Sequence, residues 1–393
     1  GDGKNQVEVF SWWTGPGEEE GLAELVKLYK DANPDVEFVN AAIAGGSGDQ
    51  AQAALTSRLQ GNDPPDSFQG HAGAELTDYI EDGVLQDLTS LYDGEGWKDV
   101  MHEGILEGLT VEDKLYAVPV NVHRANLLWF NPSVLADADV EPPTSWRELI
   151  DQAADLETED TVTLAVASSW TRLHLLETVL LGELGAEEYT GLWDGSVDWA
   201  SGKVVDALDL YTEVLGVSDL KSASDDWQPQ LAKVVDKRAA YAVMGDWAYS
   251  YLSSSQGLKY EEDYGVVASP GSDGVFDYLA DSFNLPAGAQ HPENAEAWLK
   301  VCGSKEGQDA FNVLKGSLPA RTDIDESLYV DYLGWNLEQW LDPETVVVGS
   351  LAHGAVARNG WKTEIETALG EFDENGDSAA FAESVKEAYE ATK

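Results

Sequence analysis

The opening of the chain narrows the fold more than any other segment. Val7-Glu8-Val9-Phe10-Ser11 is rich in strand formers and ends in a turn-rich stretch, Trp12-Trp13-Thr14-Gly15-Pro16-Gly17. The residues that follow place Leu22, Leu25, Val26 and Tyr29 at the i, i+3, i+4, i+7 spacing of one helical face. Asn33-Pro34 stops that helix, because a residue before proline is pushed out of the α region. Val36-Glu37-Phe38-Val39 then reads as a second strand. Strand, helix and parallel strand make a βαβ unit, so the chain opens as α/β.

The alternation continues. The pattern predicts a helix over 49–60, with Ala53, Leu55 and Leu59 inward, and a strand over 66–69 leading into Gly70-His71. It predicts strands over 115–120 and 125–130, a helix over 146–156, a strand over 161–167 and a helix over 173–184. A strand over 239–244 ends at Gly245-Asp246-Trp247; strands over 264–268 and 275–279 follow, and from Ala295 the chain reads as mainly helical. No solenoid period and no low-complexity linker interrupts it. At 393 residues the chain is too long for one ordinary core. Two α/β lobes joined by several crossovers fit better than two domains in series.

Charge excludes several partners. Lys and Arg total 23 and Asp and Glu 73, a formal charge of −50, while the charged fraction of 24% is ordinary. The anomaly is therefore the sign. Such a surface repels phosphate backbones, so nucleic acid is not expected as a partner, and it also repels anionic lipid head groups. The apolar content of 43%, with 10% aromatics, is more than a disordered acidic tail carries. The carboxylates thus solvate a folded protein, and their spread along the chain suits strong salt, where the screening length falls to about 3 Å at 1 M. A halophilic, haloarchaeal source is the expectation. The single cysteine, Cys302, permits neither an intrachain disulfide nor a cysteine metal cluster. No apolar run is long enough to span a bilayer. The start, Gly1-Asp2-Gly3-Lys4, carries no signal peptide and suits a trimmed mature chain.

The motifs suit a polyhydroxylated ligand, although each tryptophan taken singly is more often a core residue. Trp12-Trp13 stands at the carboxyl end of a strand, where open α/β sheets bind ligands. Adjacent strand residues face opposite ways, so both indoles reach one cleft only if the strand has already ended; otherwise one is core and one packs between lobes. Trp170, Trp227, Trp247 and Trp361 also sit at element ends. An indole face suits the apolar face of a pyranose and still offers an N–H. Gln69-Gly70-His71 brings an amide and an imidazole that can both donate and accept. The six histidines show neither HxxxH nor HExxH spacing, so no metal is expected. Gly45-Gly46-Ser47-Gly48 lacks the phosphate-binding patterns and no GxSxG elbow exists, so neither a nucleotide nor another cofactor is expected, nor a nucleophile triad. Two of the 73 carboxylates could still serve as the acid and base of a glycosidase. Asp281, just beyond the 275–279 strand, reads either as a site residue or as a helix cap or solvated acid. Lys315, in Leu314-Lys315-Gly316-Ser317, reads as a hydroxyl donor or as the partner of a helix C-terminus.

Taken in order, longer stretches carry a resemblance. They are Phe10-Ser11-Trp12-Trp13-Thr14-Gly15, Leu28-Tyr29-Lys30, Asn33-Pro34, Ala44-Gly45-Gly46-Ser47-Gly48, Asp63-Pro64-Pro65-Asp66-Ser67-Phe68-Gln69-Gly70-His71-Ala72-Gly73 and Val118-Pro119-Val120-Asn121-Val122-His123-Arg124. Met244-Gly245-Asp246-Trp247-Ala248, Asp281-Ser282-Phe283, Gly303-Ser304-Lys305-Glu306-Gly307-Gln308-Asp309, Leu314-Lys315-Gly316-Ser317 and 349–357 follow. Together they resemble the extracellular solute-binding proteins of carbohydrate ABC importers, and within them the glucose- and galactose-binding branch.

The resemblance implies an α/β, two-lobed fold, each lobe a mixed sheet flanked by helices, with the ligand in the interlobe cleft. It implies an N-terminal lobe of residues 1–121 plus about 277–322, a C-terminal lobe of about 122–276 plus 323–393, and a hinge at the crossovers. Trp12 and Trp13 would flank the sugar, Glu18 would accept from its hydroxyls, and Gln69 and His71 would bond ring oxygens. Trp227 and Trp247 would wall the pocket, and Asp281, Lys315 and His353 would complete the polar contacts. Asn121 and His123 fall in a matching stretch without an assigned role. The implied protein is a receptor and not an enzyme: a monomer that takes a monosaccharide (glucose above galactose or mannose) by hinge closure and hands it to membrane permease subunits with a cytoplasmic ATPase. It would work outside the cytoplasmic membrane, lipid-anchored through a residue upstream of Gly1.

Overall fold

The computed structural model describes residues 3–45 and 48–393, so Gly46 and Ser47 of the glycine-rich turn lie outside the described residues. The chain divides into two compact units. One takes the chain up to His123 together with Leu279–Leu337; the other takes Arg124–Tyr278 and Glu338–Lys393. The chain thus passes from one unit to the other at 123/124, 278/279 and 337/338.

In the first unit the βαβ opening forms as read. Strand Gln6–Phe10 pairs in parallel with Glu37–Asn40 on one side and Ser67–His71 on the other. Helix Glu18–Ala32 makes the crossover and buries Leu22, Leu25 and Tyr29, three of the four residues on the expected face. Three acids fill its first turn, where the helix dipole favours negative charge, and Glu20 Oε2 accepts the Gly17 N–H at 2.7 Å. Strand Asp281–Phe283 enters from far along the chain and runs antiparallel between Ser67–His71 and Val118–Pro119. The five-stranded order is therefore Glu37–Asn40, Gln6–Phe10, Ser67–His71, Asp281–Phe283, Val118–Pro119. Tyr29, Phe38, Trp298 and Phe283 interlock beneath it, with ring centroids 5.3–6.1 Å apart. Burying each such ring contributes about 1.5–3 kcal/mol.

In the second unit Leu127–Phe130 runs antiparallel to both Gly265–Ala268 and Ala239–Val243, and the latter pairs in parallel with Val162–Ala165. Strand Val275–Leu279, the middle strand of a further three-stranded sheet, runs parallel to Val346–Gly349. Helices Trp170–Asp194, Gly202–Gly216, Asn359–Asn375 and Ser378–Thr392 enclose a core that includes Trp146, Leu176, Tyr189, Tyr211, Trp361 and Phe372.

Several expected elements change. The strand expected over 115–120 splits: Lys114–Leu115 folds back on Thr110–Val111, while Val118–Pro119 takes the edge of the main sheet, where a proline leaves no ladder bond unmade. The helix expected over 146–156 breaks at Gln152. Helix 173–184 lies within Trp170–Asp194, which is interrupted at Gly185 (φ 80°). The strand expected over 66–69 runs on through His71. Strand Val346–Gly349, a β-branched run, interrupts the region read as helical.

Candidate functional site

In the first unit several of the side chains singled out in the sequence gather at adjoining strand ends. Strand Gln6–Phe10 stops two residues before Trp12, so neither indole is bound to strand alternation. They nonetheless part. Trp12 lies over Gly48, where a Cβ would meet its ring at 2.7 Å, and its ring centroid is 5.0 Å from that of His71. Trp13, expected beside the ligand, packs into the apolar interior instead. It is 1% exposed, 4.5 Å from Phe311 and edge-on to Phe283 at 5.5 Å. Two phenyl rings there offer it more apolar contact than a wet site would.

Gln69 ties this corner together. Its Oε1 accepts the backbone N–H of Trp12 at 3.1 Å and its Nε2 donates to Asp281 Oδ1 at 3.0 Å. Asp281 is neither a helix cap nor a solvated acid: it opens strand Asp281–Phe283, opposite His71, and is 4% exposed. Its Oδ2 accepts from Asn121 Nδ2 at 3.0 Å, and its own N–H donates to Asn121 Oδ1 at 2.8 Å. Asn121 Nδ2 also donates to Ser317 Oγ, and His123 Nε2 lies 3.7 Å from Asp281 Oδ2. Burial pushes the Asp281 carboxyl up, but His123, His71, Lys315 and the Asn121 hydrogen bond together hold it below its ordinary value. A buried anion thus stands between two neutral amide donors, with positive charge close enough to be felt.

His71, the last residue of its strand, is oriented by Glu75 in the short turn that follows. Glu75 Oε2 accepts the His71 N–H at 2.7 Å and Glu75 Oε1 sits 2.9 Å from Nδ1, so Nδ1 carries the proton in the neutral ring. Gln52 donates to the same Glu75 at 3.1 Å. Glu18 and Lys315, expected to meet the ligand separately, pair with each other at 2.9 Å, and Glu18 Oε1 also accepts the Gly15 N–H. Lys315 ends its helix just before Gly316 (φ 79°), so the helix-end reading holds for it as well.

In the second unit four rings converge. His353 lies 5.0 Å from Trp247, 5.3 Å from Trp170 and 5.2 Å from His174, all edge-on. Trp170 and His174 are one turn apart on the same helix. His174 Nε2 donates to the Ala125 carbonyl at 2.7 Å, which leaves its Nδ1 to accept from His353 Nε2 at 3.3 Å. Trp247 follows Gly245, where a Cβ would come within 2.2 Å of its ring. Trp227 stands apart from these four rings, half-buried against Tyr251 at 5.5 Å. Trp361 is core: its Nε1 donates to the Val385 carbonyl at 3.0 Å.

Sequence reasoning missed Glu75, Ser317 and His174, and left Asn121 and His123 without a role. The i, i+4 spacing of Trp170 and His174 on one helix was the signal available for His174; His71 ends a strand, so its spacing to Glu75 carried none. Nothing local marks Ser317 or Asn121. Among the described residues no group of three or more His, Cys, Asp or Glu could hold a metal.

Residues 6–309 match the family model for bacterial extracellular solute-binding protein. The chain belongs to that family. An ABC transporter extracellular-binding protein of Pyrococcus horikoshii is 30% identical over 371 residues, 93% of this chain and 83% of that protein. The xylose/arabinose-binding protein XacG of Haloferax volcanii is 31% identical over 374 residues, 93% and 80% respectively. Among solved structures, the bacterial solute receptor AcbH, described with an exclusive preference for β-D-galactopyranose, shares the fold. The TM-score is 0.84 at 16% identity, covering 99% of this chain and 98% of that one. As a solute-binding protein the chain captures a ligand and does not turn it over, which removes the glycosidase alternative. No helix among the described residues is long and apolar enough to cross a membrane.

Proposed function

We propose that this solute-binding protein is the sugar receptor of an ABC importer and that its ligand is a monosaccharide, with glucose the first candidate and galactose or mannose next. The observation that carries the reading is the Asp281 arrangement: a buried, charged carboxylate held by Gln69 and Asn121, beside the Trp12 ring and an imidazole of fixed tautomer. A polyol needs a strong acceptor, a neutral donor–acceptor and a flat apolar wall, and this corner supplies all three. Trp247 and His353 would add the aromatic wall from the second unit, with Trp227 an outer contact. The Glu18–Lys315 pair would bond hydroxyls as a unit. Trp13 would act from behind, by packing.

In this reading the two units are the receptor's lobes, the three passages of the chain form the hinge, and ligand closes it, as in periplasmic binding proteins generally. The closed monomer would deliver its sugar to membrane permease subunits served by a cytoplasmic ATPase. It would do so outside the cytoplasmic membrane, held by a lipid anchor upstream of Gly1. The charge of −50 and the Haloferax relative support a haloarchaeal source.

That relative's name favours a second reading, a pentose receptor. A calorimetric panel in molar salt, with glucose, galactose, mannose, xylose, arabinose and a disaccharide, decides between them. Stoichiometric heat with a hexose supports the first reading. Preference for xylose or arabinose supports the second, and preference for the disaccharide overturns both. A site that pairs every hydroxyl rejects an analogue lacking one by up to about 10⁴-fold, so the winning sugar should stand clear of the rest.

A further inference from the structure

Behind the ring cluster of the second unit lies a buried pair of acids that no ligand contact requires. Glu177 stands on helix Trp170–Asp194, one turn beyond His174, and Asp277 on strand Val275–Leu279; both are 0% exposed. Glu177 Oε1 accepts from Ser350 Oγ at 2.9 Å and from the Ala352 N–H at 2.8 Å. Those two bonds anchor the turn that presents His353. Its other oxygen, Oε2, and both carboxyl oxygens of Asp277 receive no donor from the described residues. The Ser350 N–H donates to the Tyr278 carbonyl at 2.9 Å, so the turn that Glu177 anchors is bonded to the strand that carries Asp277, and Glu177 acts on Asp277 through its charge and a hydrogen bond.

The other charged and titratable groups around them have partners of their own. Arg124 spends its guanidinium on Asn126, Gln339 and the Val275 carbonyl, over the Phe276 ring, and gives no bond to Asp277. Tyr189 donates to the Gly349 carbonyl. His174 is engaged with Ala125 and His353. Strand Val346–Gly349 brings no titratable group, and Glu338 on helix Tyr332–Leu341 is exposed. Two carboxylates side by side in an interior cannot both stay ionised without a cation between them.

We propose that Asp277 and Glu177 hold one proton between them and that this proton, by fixing Glu177, fixes the Ser350–His353 turn, so that both acids are positioning residues for His353. The link to sugar binding rests on the function proposed above; the shared proton and the anchored turn do not. Burial, and then the Glu177 charge and hydrogen bond, push the Asp277 carboxyl well above its ordinary range, with Arg124 opposing. A carboxyl raised in this way gives stability that is complete at low pH and lost as pH rises through its folded value. Loss of the proton sets two negative charges against each other and frees the turn.

The test uses the whole chain in molar salt, above the pH at which histidines titrate. In the wild type, sugar affinity should fall by about tenfold or more as pH rises further, together with the melting temperature and the exchange protection of the Ala352 amide. Asp277→Asn and Glu177→Gln each supply an N–H in place of the proton, so both should lose the slope in all three measurements. Glu177→Ala removes the anchor and should weaken binding at every pH. An infrared difference spectrum at neutral pH should show a protonated carboxyl in the wild type that Asp277→Asn lacks. The same slope in the amide variants as in the wild type, a wild type without slope, or no protonated carboxyl overturns the proposal. If no sugar binds, the function reading fails, and the melting curves, Ala352 exchange and infrared band still judge the pair. If one amide variant does not fold, the other and the wild-type profile decide.

Discussion

Asp281 keeps its charge at 4% exposure because Gln69 and Asn121 each give one of its oxygens an N–H, while His123, His71 and Lys315 supply positive potential nearby. Hydrogen bonds to a charged group contribute about 1.5–3 kcal/mol each. Asp281→Ala should therefore weaken binding of the preferred sugar by about ten- to a hundredfold, measured by calorimetry. Affinity unchanged in this variant would remove the site assignment. The direction of its titration sets a second expectation. A carboxyl lowered in the fold contributes stability that is present above its unfolded value, about 3.9, and is lost as pH falls through the folded value below that. The melting temperature should drop more steeply in that acid range for the wild type than for Asp281→Asn, and equal acid limbs would contradict the network. At the same scale, Trp12 and Trp13 show how neighbours in sequence part company: one ring rests over Gly48 beside His71, and the other fills the gap between Phe283 and Phe311.

At the scale of elements, two glycines decide where the indoles can lie. Gly48 caps helix Asp49–Gln60 at φ +81°, and Gly245 ends strand Ala239–Val243 by two residues; a Cβ would stand 2.7 Å from the Trp12 ring at the first and 2.2 Å from the Trp247 ring at the second. No real Cβ contact is that short, so the rings must move. Gly48→Ala and Gly245→Ala should each lower sugar affinity by about tenfold and alter the change in tryptophan fluorescence on binding. Gly48→Ala should also lose stability, because a side chain in the left-handed region costs about 1–2 kcal/mol. Full affinity in both variants would show that ring placement does not matter.

At the scale of the molecule the charge of −50 dominates. Twenty-three basic side chains cannot neutralise 73 acids, and the ion pairs that form, such as Arg58–Glu8 and Arg172–Asp373, occupy only a few of them. The surplus repels itself until salt shortens the screening length from about 10 Å at 0.1 M to about 3 Å at 1 M. The melting temperature should rise steeply with potassium chloride over that range. A protein equally stable in dilute buffer would contradict the halophilic reading.

What the sequence by itself determined is what short-range physics controls. Helix faces, strand formers and turn residues act within a few positions, so the βαβ opening, the span of helix Asp49–Gln60 (which buries Ala51 and Leu55 but leaves Ala53, expected inward, exposed) and strand Val275–Leu279 were readable, as were the strand ends bearing Trp12, Gln69 and His71. The tertiary structure decided who meets whom. Insertion of strand Asp281–Phe283 beside Ser67–His71 brings Asp281 to Gln69 across 212 residues and to Asn121 across 160. Helix packing joins Lys315 to Glu18 across 297. Glu177 reaches the His353 turn across 175. A hydrogen-bonding side chain has many equivalent partners in a chain of 393 residues, and only sheet order and helix packing select one.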